Sequence, residues 1–138
     1  MTQILQNKVF ITSILAWLFA QIIKSIVNTI QHKKFKFSIL FSSGGMPSSH
    51  TAIATALATK VGLVEGFDST LFAIAVVFCL IVMYDAMGVR RQAGKHAKII
   101  NYLTKNWPKK PNLKELLGHK PIEVLFGMIL GIIVALII

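Results

Sequence analysis

LFAIAVVFCLIVMYDAM, residues Leu71 to Met87, decides the fold: it holds no proline and no charge before Asp85. Phe72, Val76, Val77, Leu80 and Val82 spread round every side of a helix, so no polar stripe is left for water. Crossing the hydrocarbon core takes about 20 mostly apolar residues as a helix, because lipid offers no partner for a free backbone N–H or C=O. Residues 71–87 are therefore read as a transmembrane helix. The whole chain agrees: mean hydropathy is +0.67 and 54% of its 138 residues are apolar, more than a soluble domain of one-domain size requires.

Working outward, three further segments qualify. Residues 9–30 contain Trp17, Gln21 and Lys24; residues 48–63 begin at Pro47-Ser48-Ser49-His50 and run through small residues; residues 121–138 begin at Pro121. The first is read as a helix and not as an export signal, since Lys8 is its one early charge and no small-x-small site follows. The second is rich in Ala and Thr, which let membrane helices approach closely, and it belongs inside the bundle. Expected is an all-α, integral membrane four-helix bundle forming a single transmembrane domain over 1–138. Cys79 sits in the apolar run and reads as a small buried hydrophobe, with no second cysteine to pair it.

Glu65 to Ser69 turn the chain tightly between the second and third helices. Long basic connections, 31–47 and 88–120, join the others. Within the latter, Ala93, Ala97, Ile100, Leu103 and Trp107 recur at helical spacing beside Lys95, Lys98 and Lys105, as in a helix lying in the headgroup layer over about Gln92 to Trp107. Up-down threading puts both long connections on one membrane face. Every Lys and Arg except Lys8 and Lys60 falls there, so the positive-inside rule makes that face cytoplasmic in a multi-pass cell-membrane protein. The net charge of +10 is thus bounded by spans and lacks a readout motif, which excludes nucleic acid as a partner.

The same face collects Lys24, Ser48, Ser49, His50, Asp85, Arg90, Arg91, His96, His119 and Glu123. Ionisable groups at membrane depth are costly and usually functional. Ser48 or Ser49 can cap the helix that follows, presenting free N–H groups to an anion. Glu123, four residues after His119, can accept from its imidazole and make the other nitrogen a better nucleophile. An arginine fork suits phosphate oxygens. Singly, each has an ordinary explanation: a helix cap, a snorkelling lysine, boundary arginines, an Asp85 that pairs with one of them, a solvated His96. Together they make a phosphoryl-transfer site.

Three blocks, Gly45-Met46-Pro47-Ser48-Ser49-His50-Thr51-Ala52, Asp85-Ala86-Met87-Gly88-Val89-Arg90-Arg91-Gln92 and Gly118-His119-Lys120-Pro121-Ile122-Glu123-Val124, resemble the type 2 phosphatidic acid phosphatase (PAP2) superfamily. The likeness is to its divergent branch, related to acid phosphatases and vanadium-dependent haloperoxidases, and it covers nearly the whole chain. It implies a mechanism without metal or cofactor in which a histidine is phosphorylated and water then releases phosphate. By this resemblance His119 is the nucleophile, Glu123 stands where the superfamily has an aspartate, and His50 is the acid. Lys24, Ser48, Ser49 and Arg90 or Arg91 hold the phosphate, with Asp85 in support. Ser49 replaces a family glycine, the arginines lie far upstream of His119, and four helices stand where the superfamily has more, which leaves room for a homodimer to complete the core.

The expected activity is hydrolysis of a lipid phosphomonoester such as phosphatidylglycerophosphate or phosphatidate. Two alternatives stay open: an isoprenoid pyrophosphate phosphatase, and a non-enzymatic membrane protein whose basic face binds anionic lipid.

Overall fold

The computed structural model describes residues 4–33 and 44–138, and within them every regular element is helical. After a 3-10 turn at Ile4–Gln6 come α1 (Lys8–His32), α2 (Ser49–Glu65), α3 (Thr70–Met87), α4 (Val89–Leu103) and α5 (Pro121–Ile137). Most of the basic connection expected over 31–47 lies outside the described residues.

Local chemistry sets the helix starts. The Asn7 side chain accepts from Phe10 N–H at 3.0 Å, Ser69 Oγ accepts from Phe72 N–H at 3.1 Å, and Ser48 caps α2, so each first turn satisfies one of its orphan donors. Between α3 and α4 the break is abrupt. Gly88 donates its N–H back to the Tyr84 carbonyl at 2.8 Å and takes a conformation outside the helical region, so α4 starts at the next residue. The amphipathic helix therefore begins at Val89 and stops at Leu103, both earlier than its periodicity implied. Gly94 and Ala97 form its buried side, while Lys95, Lys98 and Ile99 are exposed.

Four helices, α1, α2, α3 and α5, make the bundle. α2 is central: it packs against the other three, and Ala52 and Ala56 have no exposed surface. The closest approach is between α2 and α5. A Cβ on Gly127 would lie 2.4 Å from the Ser48 carbonyl oxygen, and one on Gly131 would lie 2.5 Å from that of Ala52. Backbone thus rests on backbone. Because lipid tails are as apolar as leucine, membrane helices associate through such close van der Waals packing, and the Gly127-x-x-x-Gly131 spacing supplies it.

Outside, the polarity of a soluble bundle is inverted. Ile74, Leu80 and Ile81 on α3 and Phe126 and Ile133 on α5 expose large apolar side chains. Lys8–Ile30 and the helical run that starts at Thr70 are long and apolar enough to cross a membrane, and α5 is a shorter apolar helix.

Candidate functional site

The end of α1, the start of α2, the end of α3 and the start of α5 meet at one end of the bundle, and two backbone hydrogen bonds tie the three sequence blocks together there. Ser48 N–H donates to the Glu123 carbonyl at 3.0 Å, and His119 N–H donates to the Ala86 carbonyl at 2.9 Å. Gly118 makes the second contact feasible: its φ is +73°, and a Cβ would lie 2.3 Å from the Arg91 backbone nitrogen. Only glycine meets both demands.

His119 is 2% exposed. Its Nδ1 lies 3.1 Å from Glu123 Oε2, and that same oxygen accepts the Lys120 N–H at 3.1 Å. A carboxylate only accepts, so the imidazole proton sits on Nδ1 and the lone pair on Nε2. Nε2 is buried and has no hydrogen-bond partner among the described residues. Burial pushes the His119 pKa below its ordinary value; the Glu123 hydrogen bond opposes this, the Lys24 charge adds to it, and the nearby Gly45 backbone also opposes it. At neutral pH the His119 ring is therefore mostly neutral, with its lone pair on Nε2.

Cations and hydroxyls surround it. Lys24, 2% exposed although on an apolar helix, donates from Nζ to Ser49 Oγ at 3.3 Å. Ser48 is fully buried, and its hydroxyl accepts from the Thr51 hydroxyl at 2.9 Å and from the Thr51 N–H at 3.4 Å. Thr51 was not singled out as a site residue from the sequence, although it lies within the Gly45–Ala52 block.

The two arginines part company. Consecutive residues on a helix project about 100° apart. Arg90 turns to Asp85 in a close ion pair, and its Nη1 faces His50 Nε2 at 3.4 Å. Arg91 instead lines a pocket of about 360 Å³ with Gly44, Gly45, His119, Lys120 and Glu123. His50 lies within electrostatic reach of Arg90, His119, Lys24 and Asp85, which brings these five candidates together at one end of the bundle. His96 is exposed on α4 and joins none of these contacts.

The divergent PAP2 family matches residues 5–134. The chain belongs to that family. The uncharacterized membrane protein YuiD of Bacillus subtilis (strain 168) is 44% identical to this chain over an alignment covering 99% of it and 96% of the relative. No solved structure matches the chain. Membership of the divergent PAP2 family and a membrane-protein relative agree with the apolar outer surface: this is a membrane protein.

Proposed function

We propose that the chain is a multi-pass membrane phosphatase that hydrolyses a lipid phosphomonoester, of the phosphatidylglycerophosphate or phosphatidate kind, through a phosphohistidine on His119. In this reading α1, α2, α3 and α5 cross the bilayer, with the site at the cytoplasmic boundary. The observation that carries it is a buried histidine whose Nδ1 is fixed by a carboxylate at 3.1 Å and whose Nε2 has no side-chain or backbone hydrogen bond among the described residues, within electrostatic reach of a buried lysine.

The reaction has two displacements. His119 Nε2 attacks phosphorus, the bond to the lipid oxygen breaks, and His50 protonates that oxygen as it leaves. Water then attacks the phosphohistidine, His50 takes its proton, the P–N bond breaks, and phosphate departs with His119 restored. Glu123 stabilises the positive charge that grows on the ring during attack. Lys24, Ser48, Ser49, Arg91 and the α2 N-terminus bind the equatorial oxygens, where the transition state concentrates charge. Arg90 faces the nitrogen of His50 that must carry the proton, so an arriving phosphate has to draw this guanidinium toward itself and Asp85 before His50 can act as an acid.

Purified protein in detergent, given a panel of phospholipid monophosphates, should release inorganic phosphate, and His119→Ala should not. A His119→Ala variant as active as the parent, or a parent inactive on every lipid, would remove the phosphatase and leave a protein that merely binds anionic lipid.

A further inference from the structure

α1 and α3 both lie against α2 but make no contact with each other, so a fissure runs between them with α2 as its floor. Cavities of about 690 and 450 Å³ fill it and meet at Asn7, Val9, Leu57 and Phe78. His50 stands at one end of this groove and Glu65 at the other. Over that interval α2 rises about 22 Å at 1.5 Å per residue, more than the ~15 Å depth of one lipid leaflet.

We propose that this fissure holds a hydrocarbon chain of the substrate lipid, which slides in from the bilayer between α1 and α3. The inference rests on the phosphatase reading and adds the direction from which substrate arrives. In-line displacement puts the leaving oxygen on the side of phosphorus opposite the nucleophile. With His119 attacking, that side faces His50. The pocket on the His119 side is lined by Arg91, Lys95, Lys98 and Lys120 and is no place for a chain. On the His50 side the wall is mostly apolar, with Ser13 and Asn7 its polar members beyond His50, and it is continuous with the site. The departing alcohol and its hydrocarbon therefore extend along α2. A chain gains little transfer energy on moving from lipid to this groove, since both are apolar. Its contribution is to orientation of the phosphate.

Val61 lines the 690 Å³ cavity about 16 Å along α2 from His50, farther than glycerol and a hexanoyl chain reach together. In mixed micelles Val61→Trp should lower kcat/KM for dioleoyl-phosphatidate about tenfold or more while dihexanoyl-phosphatidate stays within about twofold. Ile132→Trp, on α5 and lining neither cavity, should change neither. Equal losses on the two lipids, or none on the dioleoyl substrate, would overturn the proposal. A second measurement is independent of turnover and of the variant's folding. Phosphatidate carrying a mid-chain diazirine, photolysed with the unaltered protein, should label α2 and α3 residues of the fissure and be displaced by unlabelled dioleoyl-phosphatidate. Labelling of the outer helix faces alone would refute the groove; labelling of the fissure without phosphate release from any lipid would refute only the phosphatase.

Discussion

Replacing Glu123 by Gln isolates one physical quantity, the negative charge behind His119. In the parent a single carboxylate oxygen accepts from both His119 Nδ1–H and Lys120 N–H, each at 3.1 Å. A glutamine carbonyl can occupy the same position and accept both, so α5 keeps its first turn. Hydrogen bonds with a charged partner contribute ~1.5–3 kcal/mol and neutral ones ~0.5–1.5, and this side chain is only 19% exposed, so screening removes part of the difference. The remaining loss of about 1 kcal/mol corresponds to about fivefold in kcat/KM. The pH dependence gives a sharper readout. His119 must be unprotonated to attack, and burial holds its pKa below the ordinary 6.5. The limb that reports His119 should therefore lie on the acid side of that value, separate from the alkaline limb set by loss of the His50 proton. Glu123 is what raises the His119 pKa against burial, so the glutamine variant should move the acid limb lower still, and its deficit should shrink as pH falls. Stability follows the same sign. The neutral ring's contribution is complete above the unfolded value of about 6.5 and is lost as pH drops through the depressed folded value. The assay is phosphate release from one lipid across a pH series, with thermal midpoints measured alongside. An unchanged acid limb in the variant, or a parent limb at or above 6.5, would refute the role given to this pair.

His50→Ala should cost about a hundredfold or more with an alkyl leaving group, in the range for a lost general acid, and far less with p-nitrophenyl phosphate, whose phenolate leaves unaided; equal losses on both would deny His50 its role. Gly127→Ala sets a new Cβ 2.4 Å from the Ser48 carbonyl and should lower the thermal midpoint through an overpacking cost of ~1–3 kcal/mol. Turnover should fall with it, read by circular dichroism melting beside phosphate release, because α5 carries His119 and α2 carries the phosphate cradle.

Much of this arrangement was legible from residue order. The apolar run at 71–87, the tight turn after Glu65 and the two long connections dictate an up-down bundle whose motif blocks share one end, and a motif resemblance then attached chemistry to them. Three things escaped. The Arg90-Arg91 pair reads as two equivalent cations in sequence, and only the helical rotation that starts at Gly88 sends one to Asp85 and the other to the pocket of His119. The tie from His119 N–H to the Ala86 carbonyl joins residues distant in the chain, and no local propensity encodes it. The Gly127-x-x-x-Gly131 spacing was visible in the sequence but was overshadowed by the hydrophobicity around it, although it brings α5 close enough to α2 for Ser48 N–H to reach the Glu123 carbonyl.

That last contact explains why so small a bundle can hold a polar site. Lys24, Ser48, Ser49 and His119 are all nearly inaccessible, and each buried polar group costs free energy unless it is paired. Larger side chains at the crossing would hold α5 toward the ~10 Å end of the usual helix spacing, too far for a backbone hydrogen bond between it and the start of α2. Glycine and alanine at the crossing close that gap. The Ser48 N–H then finds a carbonyl, the Lys24 ammonium finds the Ser49 hydroxyl, and His119 Nδ1 finds Glu123. Among the described residues, these contacts leave Nε2 of His119 and Nδ1 of His50 without a hydrogen-bond partner. Small residues in α2 and α5 therefore serve the proposed chemistry as much as the fold: they let the bundle satisfy the groups that hold the His119 imidazole at Nδ1.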